Sequence, residues 1–409
     1  MTPPRPPLMP LDDALARLLA QAAPLPGIDT VRTLDADGRV LAQDCISPLH
    51  VPPLDNSAMD GYALRRADVA APGAVLAVTQ RIAAGSTGSA LQPGTAARIF
   101  TGAPVPEGAD AIVMQEDCEA LADGAVRINA VPAPGQWIRR AGEDIARGAV
   151  VLRAGTRLTP AELGLAASIG LHQLAVARRP RMALFSTGDE LAMPGEVPPE
   201  QMRPGAIYNS NRFFLRAMLQ RLGCAVTDLG IVPDRRDATI AALREAAQGH
   251  DLIVTSGGVS VGEEDHVKPA VQALGALDLW QIAMKPGKPF AYGRIGAAHF
   301  MGLPGNPVSS FMTFAVLVRP FVLRLQGVVD VAPKSIAARA FFTWARADKR
   351  REFLRVRRNA EGGLELFANQ SSGVLTSAAW GDGVVDNPAG QTIAPGDTVR
   401  FIPFADLVA

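Results

Sequence analysis

The sequence predicts a multidomain protein of α/β plus β class, organised around a central, doubly wound, mostly parallel α/β domain. Three observations carry this expectation. Strand and helix patterns alternate across residues 181–274, short apolar runs separated by turn residues fill residues 31–157, and the same β texture returns after Gly327. A chain of 409 residues has room for two to four domains of about 100–200 residues each.

Taken in order, residues 11–22 set Leu11, Leu15, Leu18 and Leu19 at helical spacing, with Asp12 and Asp13 suited to a first turn. The runs 74–78, 111–114 and 126–128 lie between Gly, Pro and Asp turns and read as small β-rich units. Residues 159–170 read as a helix with Pro160 at its first position. The alternation follows: strand 181–185, helix 211–222 ended by Gly223, strand 225–232, helix 236–247 ended by Gly249, strand 251–255 and helix 265–274. The apolar stretch 311–325 is interrupted by Arg319 and Pro320. It is shorter than the roughly 20 residues of a bilayer span and reads as a core helix. Strands are expected at 335–342, 353–358, 364–367 and 398–402, enough for a small barrel or sandwich.

Composition narrows the function. Lys plus Arg equals Asp plus Glu at 40 each, which gives no reason to expect nucleic acid or a membrane as partner. The three cysteines, Cys45, Cys118 and Cys224, make no CxxC pair, and the five histidines are isolated. Neither a disulfide framework nor a zinc site is expected. The Pro-rich start lacks an apolar core of the secretory kind, so a cytoplasmic location is expected. No GxGxxG or GxxxxGK[ST] pattern supports a Rossmann or P-loop reading.

Parallel α/β sheets bind ligands beyond the carboxyl ends of their strands, so motifs there matter most. Ser256, Gly257 and Gly258 follow an apolar strand and precede a helix. Paired glycines let backbone N–H groups approach an anion, and a helix start adds partial positive charge. The alternative is a tight turn with nothing bound. The segment 302–310, GLPGNPVSS, again joins an apolar stretch to a helix, with Pro304 and Pro307 stiffening the loop. Its plain alternative is a capped helix start. Lys285 and Lys288 in KPGKP put two cations on a stiff turn, for an anion or for solvent. Asp60, Asp144, Glu190, Asp234 and Asp265 are hard oxygen donors at loop positions, suited to Mg²⁺ or merely to turns.

Together the segments NSAMDGYA (56–63), IFTGAPVPEGADAIV (99–113), IRRAGEDI (138–145), FSTGDEL (185–191), TSGGVSVGEEDHVK (255–268), MKPGKPFAYG (284–293) and GLPGNPVSS (302–310) closely resemble the molybdopterin molybdenumtransferase family, MoeA, to which the corresponding part of gephyrin belongs. The resemblance runs from about residue 8 to the C-terminus. It implies an elongated domain (8–45 and 146–178), a β-rich inserted domain (46–145), a molybdopterin-binding α/β domain (179–327) and a C-terminal β-barrel (328–409). It further implies a homodimer that inserts molybdate into adenylylated molybdopterin, releasing AMP with Mg²⁺ required. Molybdopterin adenylyltransferase and molybdoenzyme maturation proteins are the implied further partners.

By motif, the resemblance assigns Asp60, Thr101, Asp144, Glu190, Asp234 and Asp265 to the reaction. Glu190, Asp234 and Asp265 would hold the metal. Ser256, Gly257, Gly258, Lys285, Lys288, Pro304, Pro307, Arg350 and Ser372 would bind the pterin nucleotide and molybdate. The arginine falls at Arg350 or Arg351 and the serine at Ser371 or Ser372. Residues 381–386 depart from the family's usual run. A molybdopterin adenylyltransferase would lack counterparts of residues 31–157 and 328–409, and a receptor scaffold would need a fused domain and linker that the sequence does not contain. A binding protein without catalysis is disfavoured by the acids and lysines present.

Overall fold

The structure, a computed structural model, describes residues 8–258 and 266–408. Helix α1 (Leu11–Leu19) buries Leu11, Ala14 and Leu18, one stripe at i, i+3 and i+7, in the largest apolar core. Antiparallel pairs then bring distant segments together: Ile28–Arg32 with Gln173–Ala177, and Cys45–Ile46 with Val150–Leu152. Between the second pair lies a sheet of β1 (Gly61–Leu64), β2 (Ala74–Ile82), β3 (Thr95–Ile99), β4 (Ala111–Met114), β5 (Cys118–Ala120) and β6 (Ala125–Ile128). Its order is β4-β1-β3-β2-β6-β5. Tyr62 and Leu64 point to one small core while Ala63 points to another, the two-residue period of a strand covered on both faces.

After α2 (Pro160–Ser168), capped by a Thr159–Glu162 box, the strand–helix rhythm begins. It comprises β7 (Arg181–Thr187), α3 (Ser210–Arg221), β8 (Ala225–Val232), α4 (Arg236–Ala247), β9 (Leu252–Ser256) and α5 (Val267–Leu274). Then come β10 (Gly275–Gln281), β11 (Met284–Lys285), β12 (Pro289–Ile295) and β13 (Ala298–Leu303). The central sheet runs β8-β7-β9-β13-β12-β10. Its first four strands are parallel, as the alternation predicts, while β12, antiparallel to β13, and β10, antiparallel to β12, are additions that it did not foresee. On β7, Met182 and Leu184 face the core shared with α1 and α3, and Ala183 and Phe185 face the core under α4 and α5. Burial on both faces is why these strands read as unbroken apolar runs.

Helix α6 (Pro307–Thr313) continues through a π-helical segment, Phe314–Val318, into α7 (Arg319–Leu325). The run Pro307–Leu325 is long and apolar enough to cross a membrane, but 83% of it is buried in this fold. It is a core helix, as expected. Arg319 is accommodated there because its guanidinium donates to the Val331 carbonyl at 3.1 Å.

The last unit contains β14 (Ile336–Arg339), β15 (Arg351–Arg358), β16 (Leu364–Leu366), β17 (Gly383–Asn387) and β18 (Thr398–Pro403). The order is β11-β15-β17-β18-β14, with β16 on β15. β17 occupies the run whose sequence departs from the family pattern. Closure toward the expected barrel rests on a single bridge, Ala340 to Leu364, in place of a ladder.

Candidate functional site

The four parallel strands end level with one another, because Thr187 pairs with Val232, Ser186 with Ser256, and Ser256 with Leu303. Gly257 N–H donates to the Leu303 carbonyl at 3.1 Å, so the loops after β9 and β13 lie side by side. Asn211, near the start of α3, ties them: its Nδ2 donates to Ser256 Oγ at 2.8 Å and to the Gly305 carbonyl at 2.7 Å. A cleft of about 370 Å³ opens there, with Thr187, Glu190, Asn209, Ser256, Gly257 and Pro307 among its walls. The two motif loops thus share one crevice, as the sequence required.

The turn itself requires its glycines. Gly257 and Gly258 have φ of 93° and 67°, a region that favours glycine. A Cβ on Gly257 would lie 2.8 Å from the Thr187 carbonyl oxygen, and one on Gly258 would lie 2.3 Å from Val267 Cγ2. The space is filled by the protein itself, so the pair is needed for the turn to pack. Gly305 is the open one, with nothing within 4 Å of a Cβ.

Glu190 lines the cleft, and the Asp234 N–H donates to Asp189 Oδ1 at 3.3 Å. The turns after β7 and β8 therefore bring two of the three expected metal ligands to neighbouring strand ends. Asp265, the third, lies outside the described residues, as do the other positions 259–264 of that motif. Among the described residues no three acids, histidines or cysteines gather into a metal site.

The lysine turn sits at the other end of the same rim. β11 pairs with the start of β15, placing Lys285 opposite Glu352. Lys285 Nζ donates to Glu352 Oε1 at 3.0 Å, lies 3.4 Å from Asp348 and stands 5.6 Å from the Trp344 ring centre. Lys288 is half-buried and, among the described residues, has no ion pair. A Cβ on Gly287 would meet Thr313 Oγ1 at 2.5 Å, so this turn presses against α6. Pro304 is buried, Pro307 opens α6, and Val308 N–H donates to the Ser372 carbonyl at 2.9 Å. That last bond carries the rim into the C-terminal unit.

Three arginines of this unit lie at or near the position expected to meet the oxyanion. Arg350 is held by Asp348 through Nε at 2.9 Å and Nη2 at 2.7 Å, and it holds that carboxyl far below the usual carboxylate range. Arg351 is paired with Asp386 and Asp12. Arg355, which the sequence reading did not single out, is fully buried; it donates to Ser377 Oγ at 3.1 Å and the Ser371 carbonyl at 3.3 Å. Burial pushes its guanidinium down to about 10. Of the three, Arg355 is the one in contact with the serine segment. The strand period puts it on the same face of β15 as Arg351 and Phe353, so local pattern alone does not single it out.

In the β-rich sheet, Asp60 Oδ1 accepts from both the backbone N–H and the hydroxyl of Thr101, each at 2.8 Å. The Thr101 N–H above all, then its hydroxyl and the Arg98 guanidinium, hold the Asp60 carboxyl below its ordinary value. Asp144 is exposed in the loop whose backbone pairs with Val51. These three residues are absent from the cleft walls formed by residues 187–307 of the same chain.

Residues 9–170 match the MoeA N-terminal region (domain I and II), residues 183–324 a probable molybdopterin binding domain, and residues 337–404 the MoeA C-terminal region (domain IV). The chain is 38% identical over 409 residues to a molybdopterin molybdenumtransferase of Haemophilus influenzae, covering 98% of this chain and 100% of that one. It is 43% identical to molybdopterin molybdenumtransferase 2 of Mycobacterium tuberculosis, over 74% of this chain and 76% of the other. Among solved structures, a molybdopterin biosynthesis MoeA protein of Pyrococcus horikoshii superposes with a TM-score of 0.76 at 31% identity, covering 97% of this chain and 99% of that one. This chain belongs to the molybdopterin molybdenumtransferase family, MoeA, enzymes of molybdenum cofactor biosynthesis.

Proposed function

We propose that this chain inserts molybdenum from molybdate into adenylylated molybdopterin, releasing AMP, and does so as a homodimer. The observation that carries the reading is helix α6, which starts at Pro307 in the cleft, bonds to Ser372 through Val308 and packs at Thr313 against Gly287 of the lysine turn. A phosphorylated pterin nucleotide and an oxyanion would then be held in reach of each other, which lowers the entropic part of the barrier.

The cleft would take the pterin nucleotide, with Gly305 leaving open space beside it. Lys288 and Lys285 would hold molybdate at the rim, and Arg355 would stiffen the Ser371–Ser372 segment below it. Glu190 and Asp234, with Asp265, would hold Mg²⁺, which would neutralise charge on the phosphoanhydride and ease the departure of AMP. Asp60, Thr101 and Asp144 would close the cleft of the partner subunit, consistent with their separation from the cleft walls of their own chain. Purified protein incubated with adenylylated molybdopterin, molybdate and Mg²⁺ should yield molybdenum cofactor and AMP in equal amounts. Production of neither rejects the reading.

A further inference from the structure

Helix α3 starts inside the cleft, and its first turn is polar: Asn209, Ser210 and Asn211 all line the cavity. Asn209 is the N-cap, and its Oδ1 accepts from the Arg212 N–H at 3.2 Å. That bond fixes which way the amide points and leaves Nδ2 as the free end. Asn209 is 2% exposed, yet Nδ2 has no partner among the described residues. Buried amide nitrogens are nearly always bonded, and no described residue supplies an acceptor for this one.

The surroundings suit an anion. α3 has 12 residues, and the first N–H groups of such a helix lack acceptors and carry the positive end of its dipole. The Gly257 N–H of the neighbouring turn is already taken by the Leu303 carbonyl. The neighbouring helix α6 opens on Pro307, which has no N–H to offer. Asn211 spends both hydrogens of its amide on Ser256 and Gly305, which holds the cavity walls in place around the α3 turn.

We propose that the first turn of α3 is the phosphate-recognition element of the cleft, with Asn209 Nδ2 and the following backbone N–H groups donating to a phosphoryl oxygen. The ligand named, the phosphoanhydride of adenylylated molybdopterin, rests on the function proposed above. Because Glu190 lines the same cleft, the anion is expected to bind with magnesium.

Two variants test this. Asn209→Ser keeps an oxygen cap on α3 and removes the amide NH2, leaving only a shorter hydroxyl. Asn209→Asp keeps the cap and sets a negative charge where the donor was. Both are measured for thermal midpoint and for the Kd of adenylylated molybdopterin and of inorganic pyrophosphate, each with Mg²⁺. The midpoints should stay within about 2 °C of the parent. Both Kd values should weaken about tenfold in Asn209→Ser, the loss of one hydrogen bond to a charged group, and further in Asn209→Asp. Parent-like Kd values in both variants overturn the proposal, as does a parent protein that binds neither probe. Should Asn209→Ser unfold, Asn209→Asp carries the test alone. If the parent binds pyrophosphate but not adenylylated molybdopterin, and Asn209→Asp loses pyrophosphate, the phosphate element stands and the assigned substrate falls.

Discussion

Replacing Lys285 by methionine removes a cation from a carboxylate that has nowhere to go. The Glu352 side chain is 1% exposed, while that of Lys285 is 38% exposed. Breaking a fully buried pair costs about 3–5 kcal/mol, and a surface pair is worth about 0–1 kcal/mol. With one partner shut in and the other partly in water, Lys285→Met should cost about 1–3 kcal/mol. The remaining bonds to Glu352, from Trp344 Nε1 at 2.7 Å and Asn387 Nδ2 at 3.4 Å, do not replace a positive charge. Adding Glu352→Gln should restore most of the loss, since a neutral amide can still accept from Trp344. Urea unfolding followed by tryptophan fluorescence measures both variants. A single variant with the parent midpoint, or a double variant worse than the single, refutes the reasoning. In the molybdate assay Lys285→Met should raise KM about tenfold, as expected for a lost charged contact. An unchanged KM beside the stability loss would make the lysine purely structural.

Three further outcomes follow from the geometry. Burial pushes the His299 imidazole down to about 4, and its Nδ1 pairs with the Tyr292 hydroxyl at 2.9 Å. The folded protein keeps it neutral while the unfolded chain protonates near 6.5, so stability is full above about 6.5 and falls as pH drops toward 4, by up to about 3 kcal/mol. Unfolding free energy against pH should be about one proton steeper in that window for the parent than for His299→Gln, and equal slopes reject the assignment. Gly258→Ala should lower stability by about 1–3 kcal/mol, because a positive φ and the Val267 contact both penalise a Cβ. Gly305→Ala should stay within about 1 kcal/mol of the parent, and the thermal midpoints compare the two. Asp60→Ala and Glu190→Ala, each inactive alone, should recover about a quarter of parental activity when their subunits are mixed and reassorted, because half of the dimers would carry one intact site of two. No recovery would mean that each subunit supplies its own Asp60.

Much of the central unit was legible in the chain. β8 and α4 fall at the expected residues, because alternation of β-branched runs with amphipathic helices, each stopped by glycine, leaves little choice of boundary. β10, β12 and β13 were harder to read. They are short apolar runs around turns, and pairing with distant strands decides their state more than local pattern does. Arg355 shows the same limit within a site. Three arginines crowd residues 350–355, and only the β15 register and the depth of the serine segment separate the one that is buried from the two held by aspartates.

The order of motifs alone determined that the two glycine- and proline-bearing loops would share a crevice beyond the ends of parallel strands, because helical crossovers bring the carboxyl ends of such strands to one side of the sheet. Tertiary structure decided what each of them does there. It set the Gly257–Gly258 turn against Thr187 and Val267, bent the lysine turn onto the C-terminal sheet, and brought Asn209 and Asn211 of α3 into the cleft. The reason is physical: backbone conformation and residue type are local, whereas the partner of a side chain is set by segments tens to hundreds of residues away.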